Sequence, residues 1–128
     1  MSTVYSVTST KALEAIDTAL REAAARQQFG VIATHNLKET MARKGVDYVG
    51  ECMIYEICNP HQAKKVLEAD PSISTALPCR ISVYREGDRL RLATIRPSVM
   101  LSMFGVAGLE PVAQEVEESI LAMMNEAA

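Results

Sequence analysis

Hydrophobic and polar residues along this chain recur with two periods, one typical of helices and one typical of strands. Between about residues 11 and 25 the apolar positions fall on one helical stripe, formed by Leu13, Ile16, Leu20 and Ala24. Between residues 79 and 85 apolar and polar residues alternate strictly, which predicts a strand with one buried face. Because the two patterns follow one another closely and no linker separates them, we predict one domain over residues 1–128.

The complete set of predicted elements has the order β-α-β-α-β-α-β-β-α-α. Strands are predicted over residues 4–7, 29–34, 46–58, 79–85 and 89–95, and helices over about 11–25, 37–44, 60–70, 97–104 and 110–126. This order is typical of an α/β (α+β) layered sandwich. We therefore expect a mixed sheet of about five strands that is covered by helices.

Two asparagines mark the starts of predicted helices. Asn36 is followed three residues later by Glu39, which is the spacing of a capping box. Asn59 is followed directly by Pro60, whose missing N–H costs nothing at the first helical position. Both asparagines are therefore predicted to act as N-caps.

Composition and charge exclude several classes of function. The chain has 128 residues, a net charge of −3 and no tryptophan, which argues against a nucleic-acid partner. No apolar run approaches the roughly 20 residues of a membrane helix, and the first residues lack the pattern of a signal peptide. We expect a cytoplasmic protein without membrane insertion, in which the three cysteines are reduced.

Cys58 is the first candidate for chemistry, because it ends a strand directly before a helix. The free N–H groups and the dipole of a helix start favour negative charge and therefore a thiolate, the form that attacks electrophiles and binds metals. Asn59, Pro60 and Gln62 form the predicted anion site at this helix start. The alternative is that Cys58 is a small buried apolar residue.

Cys79 is the second candidate, and it is relevant to function only if the fold places it beside Cys58. It follows Pro78 and shares the core-facing parity of Ile81. If the two strands are antiparallel neighbours, the end of the Cys58 strand lies beside the start of the Cys79 strand. Cys52 lies about 20 Å from Cys58 along a straight strand and is predicted to be a core residue.

The two histidines are weaker candidates. His61 stands three residues after Cys58 and would direct an imidazole toward the thiol, or else be an exposed helix-start residue. His35 precedes the Asn36 cap and is either a surface residue or part of a pocket wall. No zinc-site spacing is present, and the acidic pair Glu117 and Glu118 is predicted to be solvated.

Two motifs resemble those of a known family. The segments Glu56-Ile57-Cys58-Asn59-Pro60 and Leu77-Pro78-Cys79-Arg80 together resemble the family catalogued as "domain of unknown function 302", with the similarity running over about residues 29–104. The resemblance implies a small bacterial or archaeal cytosolic α/β domain that forms homodimers. It also implies that both cysteines belong to the family pattern, and it implies no reaction.

Three functions are compatible with these residues. The first is a binding or carrier domain that holds persulfide sulfur, a soft metal or a metal cofactor at Cys58 and Cys79, since thiolates select soft partners. The second is a dimeric interaction or small-molecule-binding module with both cysteines in the core. The third is an enzyme with Cys58 as nucleophile and His61 or His35 as base. It ranks lowest, because no third group to orient the base is evident.

Overall fold

The structure, a computed structural model, describes residues 2–128 and confirms the predicted order of strands and α-helices. A short 3-10 helix, Pro71–Ala76, is added between the third helix and the fourth strand. The elements are β1 (Val4–Ser9), α1 (Leu13–Arg26), β2 (Gly30–Asn36), α2 (Leu37–Arg43), β3 (Cys52–Cys58), α3 (Pro60–Ala69), β4 (Cys79–Glu86), β5 (Arg89–Ile95), α4 (Pro97–Ser102) and α5 (Glu110–Ala127).

The five strands form one sheet in the order β1-β5-β4-β3-β2, as expected for an α/β sandwich. Every neighbouring pair is antiparallel, so the expectation of mixed strand directions is corrected. The strands on either side of α1, β1 and β2, do run in the same direction. They stand at opposite edges of the sheet and therefore never pair.

One face of the sheet carries the core, and the opposite face remains open. The alternation in β3 and β4 sends the core-facing residues Tyr55, Ile57, Ile81 and Val83 inward, where each is fully buried. They pack with apolar residues of α1 and α5, including Ile16, Leu20, Ile120, Met123 and Met124. Glu56 and Arg80 project from the open face, where they form an ion pair.

The helix α5 connects most of the helical layer. It packs against α1, α3 and α4 and contributes eight buried residues to the interior. Its 18 residues include several acidic side chains. Within residues 2–128, no helix is both long and apolar enough to cross a membrane.

Both predicted N-caps are confirmed. The Asn36 side chain accepts a hydrogen bond from the backbone N–H of Glu39, at 3.1 Å. The Asn59 side chain accepts from the backbone N–H groups of His61 and Gln62, at 3.1 and 3.3 Å. The local chemistry of an Asn side chain beside unpaired N–H groups is sufficient to start both helices.

The predicted start of β3 is wrong. The sequence pattern placed the strand over residues 46–58, whereas β3 begins at Cys52 and the preceding residues form an exposed loop. The pairing strand β4 turns back into β5 after Glu86, and the last backbone hydrogen bond to it comes from Arg85 to Glu51. Residues before Glu51 therefore have no partner on that side. The ends of the other predicted elements lie within two residues of the observed ends.

Candidate functional site

A cavity of about 320 Å³ opens between the sheet and the helical layer, at the sheet end where β3 stops and β4 starts. Apolar side chains from both layers line most of it, among them Ile57, Val66, Leu67, Leu101 and Val116. No side chain of Asp, Glu, Lys, Arg or His belongs to the lining. The cavity is thus an apolar site with a small number of polar groups in its wall.

Both candidate cysteines, Cys58 and Cys79, lie in the wall of this cavity. The strands β3 and β4 are antiparallel neighbours, and Ile57 is paired with Cys79. Cys58 follows Ile57 directly, at the point where the chain turns into α3. The sequence left open whether Cys58 and Cys79 lie side by side, and the pairing of β3 with β4 places them so. Both thiols are partly exposed and border the same cavity.

The environment of Cys79 keeps its thiol protonated at neutral pH. Burial raises the pKa of Cys79 to about 11, and the neighbouring Cys58 adds to the rise, since two adjacent thiolates repel. The thiolate is the nucleophilic and metal-binding form of cysteine. Cys79 is therefore a weak nucleophile and presents an S–H group to the cavity.

The first turn of α3 has no unused N–H group for an anion. Pro60 lacks an N–H, and those of His61 and Gln62 donate to the Asn59 side chain. The N–H of Ala63 donates to the Asn59 carbonyl oxygen at 2.9 Å. At the anion site predicted from Asn59, Pro60 and Gln62, the N–H groups thus already donate to Asn59. A negative charge on Cys58 would be stabilised by the helix dipole alone.

Neither histidine borders the cavity. His61 is exposed on the first turn of α3. His35 lies on the open face of the sheet, where its Nε2 is 3.3 Å from Glu56 Oε1, beside Arg80. Among the described residues 2–128, no group of three or more His, Cys, Asp or Glu side chains is placed to hold a metal ion.

Cys52 is separate from the other two thiols, as the distance argument requires. It lies on the open face of the sheet with its Sγ 3.6 Å from Ser82 Oγ, and it is half-buried. The prediction that Cys52 belongs to the core is therefore wrong. The reason is parity, because Cys52 shares the face of Ile54 and Glu56 rather than that of Tyr55.

Glu117 binds the start of α4, which forms part of the cavity wall. The sequence predicted that Glu117 is solvated, and this prediction is wrong. Its side chain is buried and accepts hydrogen bonds from the backbone N–H of Ser98 at 3.1 Å and from Ser98 Oγ at 2.6 Å. Arg96 Nη1 lies 3.5 Å from Glu117 Oε2. The signal was present in the spacing, since Glu117 is four residues after Ala113 and three before Ile120, both of which are buried.

Comparison with known proteins agrees with this fold. The sequence matches the family described as "Domain of unknown function DUF302" over residues 5–127. The crystal structure of an uncharacterized conserved DUF302 protein from Bacillus stearothermophilus superimposes with a TM-score of 0.95, at 24% identity and with 100% of both chains covered. No curated protein matches the chain. The match to the family extends beyond the two cysteine motifs to nearly the whole sequence, and the chain belongs to the DUF302 family.

Proposed function

We propose that this domain binds a small apolar molecule in the cavity between the sheet and α3, α4 and α5. The observation that supports this function is the cavity itself, with a volume of about 320 Å³, an apolar lining and two thiols in its wall. A concave apolar site with few polar groups is the usual form of a small-molecule site. Transfer of an apolar ligand from water into such a space is favourable.

Binding is favoured over catalysis by the groups that face the cavity. A cysteine nucleophile needs a base within hydrogen-bond reach, and the lining contains no histidine or carboxylate. The raised pKa of Cys79 also opposes a role as thiolate. The proposed role is therefore that of a binding or carrier module.

Filling the cavity tests this function. Ala63 lies in the cavity wall on α3, so the change Ala63→Leu places three additional carbon atoms in the ligand space. We expect the neutral fluorescent dye N-phenylnaphthylamine to bind the wild-type protein and to bind this variant at least about tenfold more weakly. A fluorescence titration at neutral pH measures both dissociation constants.

The same substitution on the same helix supplies the control. Ala69 is the exposed last residue of α3 and is absent from the cavity wall, so Ala69→Leu should leave the affinity for the dye unchanged. Equal affinities of the two variants would contradict binding in this cavity. Circular dichroism confirms that both variants are folded.

A soft metal such as Cu(I), held between Cys58 and Cys79, is a second candidate. It is supported by the presence of both thiols in the wall of one cavity, because thiolates select soft partners. Metal binding would require deprotonation of Cys79, whose pKa is raised to about 11 by burial, and this cost weakens a soft-metal site near neutral pH. The apolar-ligand function therefore ranks ahead of this one.

The pKa of Cys79 gives the soft-metal candidate a specific pH dependence. Since that pKa is about 11, the thiol is protonated near neutral pH, and Cu(I) binding must release its proton to solvent. The apparent affinity should therefore rise at least about tenfold per pH unit between about pH 6 and pH 8. Anaerobic competition with a chromophoric Cu(I) chelator measures it. Cys52→Ser should preserve binding, and an affinity that stays constant with pH would exclude Cys79 as a ligand.

We also propose that the protein acts as a homodimer in the bacterial cytoplasm. Support for the compartment comes from the three cysteines, all of which are free thiols. Native mass spectrometry of anaerobically purified protein reports the number of subunits together with any retained ligand, metal or added sulfur.

A further inference from the structure

Gln62 places an unused hydrogen-bond acceptor in the wall of the apolar cavity. Its backbone N–H belongs to the Asn59 cap, and its side chain lines the cavity. The side-chain oxygen Oε1 is shielded from solvent and has no hydrogen-bond partner within the described part of the chain. A buried carbonyl oxygen without a partner is unfavourable. Because Oε1 has almost no accessible surface, a bound molecule reaches it only when the Gln62 side chain turns its amide toward the cavity, and the resulting hydrogen bond then pairs the oxygen.

Among the cavity-lining residues described, Gln62 is distinguished from the other polar groups. The side-chain oxygen of Asn59 already accepts two hydrogen bonds from the backbone of α3. Cys58 and Cys79 present sulfur atoms, which are weak acceptors. Ser74 also lines the cavity, but it is exposed, so water can pair its hydroxyl group. The one other buried side-chain atom without a hydrogen bond among residues 2–128 is Arg91 Nε, which lies 3.2 Å from Glu86 Oε1 and belongs to a residue outside the cavity wall.

The electrostatics of the wall favour an uncharged ligand. No cationic side chain lines the cavity to compensate an anion, and the negative end of the Gln62 carbonyl dipole would repel it. No carboxylate lines it to compensate a cation, and burial favours the neutral form of Cys79. Burial of an uncompensated charge is strongly unfavourable. A volume of about 320 Å³, at the lower end of the range for small-molecule sites, restricts the ligand to a compact molecule.

We infer that the ligand is an uncharged, compact and mainly apolar molecule that carries one O–H or N–H group, and that this group donates a hydrogen bond to Gln62 Oε1. This inference rests on the proposed binding function and names the class of molecule that the site takes. The apolar body of the ligand supplies most of the affinity, and the hydrogen bond to Gln62 selects its orientation. A site that pairs a ligand donor discriminates against the analogue without it, since the buried acceptor is then left unpaired.

Two probes that differ in one donor group test the inference. Naphthol carries an O–H group, and its methyl ether, methoxynaphthalene, has the same ring system without a donor. We expect the wild-type protein to bind naphthol roughly five- to tenfold more tightly than the ether at neutral pH. The variant Gln62→Leu should lose this preference and bind the ether at least as tightly as naphthol, because leucine fills a similar volume, lacks the carbonyl oxygen and leaves the naphthol O–H group without an acceptor. Gln114→Leu, at an exposed position of α5, is the matched control and should keep the wild-type preference.

The outcomes separate this inference from the function on which it rests. If the wild-type protein binds both probes with equal affinity, or prefers the ether, the role of Gln62 as acceptor is overturned while the binding function stands. If neither probe binds, the binding function fails and the inference fails with it. A preference for naphthol that Gln62→Leu retains would overturn the inference as well, since another group would then be the acceptor. If Gln62→Leu does not fold, Gln62→Met, which also lacks the carbonyl oxygen, gives the same test.

Discussion

Replacement of Glu117 by alanine is expected to destabilise the domain by about 3 kcal/mol. The carboxylate is buried at 5% exposure and accepts hydrogen bonds from the backbone N–H and the hydroxyl of Ser98. The Arg96 guanidinium, itself largely buried, lies 3.5 Å from its second oxygen. Truncation would leave a partly buried cation and two donors without their acceptor, which costs more than the loss of an exposed ion pair.

The neighbouring residue provides a matched control. Glu118 is exposed and forms one hydrogen bond, with Gln114 on the same helix, so Glu118→Ala should change stability by less than about 0.5 kcal/mol. Urea denaturation followed by circular dichroism measures the free energy of unfolding of both variants. If Glu117→Ala loses as little stability as Glu118→Ala, the expected cost of leaving Arg96 and Ser98 without their acceptor is contradicted.

The effect of Glu117 should extend to the cavity. The Glu117 carboxylate accepts a hydrogen bond from the backbone at the start of α4. That short helix supplies Pro97, Met100 and Leu101 to the cavity wall. Since α4 has only six residues, its own backbone hydrogen bonds are too few to fix its position. The contact between α4 and α5 therefore couples the stability of the fold to the shape of the ligand site.

Features with a local cause could be predicted from the sequence. The caps at Asn36 and Asn59 depend on a side chain and an N–H group two or three residues away, and both are as predicted. The alternation in β4 likewise identified Ile81 and Val83 as buried. The start of β3 depends instead on where β4 turns back, so the apolar residues at 46–49 resembled a strand that has no partner.

The candidate site depends on long-range pairing, and the sequence could therefore identify only its parts. Cys58 and Cys79 border one cavity because β3 and β4 are antiparallel neighbours, which no local pattern specifies. Glu117 is buried because Arg96 and Ser98, about twenty residues earlier in the chain, meet it across the interface between α4 and α5. Gln62 is a candidate ligand contact because the walls around it are mainly apolar, and those walls are formed by strands and helices from distant parts of the sequence.

The change Ile57→Ala is expected to cost about 3 kcal/mol of stability and to enlarge the ligand site. Ile57 is 1% exposed in the core-facing row of β3, and its side chain also lines the cavity. Removal of its three outer carbon atoms loses the transfer free energy of those atoms and leaves a space that the surrounding β-sheet can only partly close. Urea denaturation measures the loss, and the neutral dye measures the change in the site.

Ile54→Ala is the control for this change, because it is the same substitution in the same strand on the open face. Ile54 is half-buried there and does not line the cavity, so its loss should cost about 1 kcal/mol and leave dye affinity unaltered. Because a ligand that binds only the folded state stabilises it, saturating dye should restore more stability to Ile57→Ala than to Ile54→Ala if it fills the added space. Equal restoration in the two variants would mean that the space vacated by Ile57 is not continuous with the binding site.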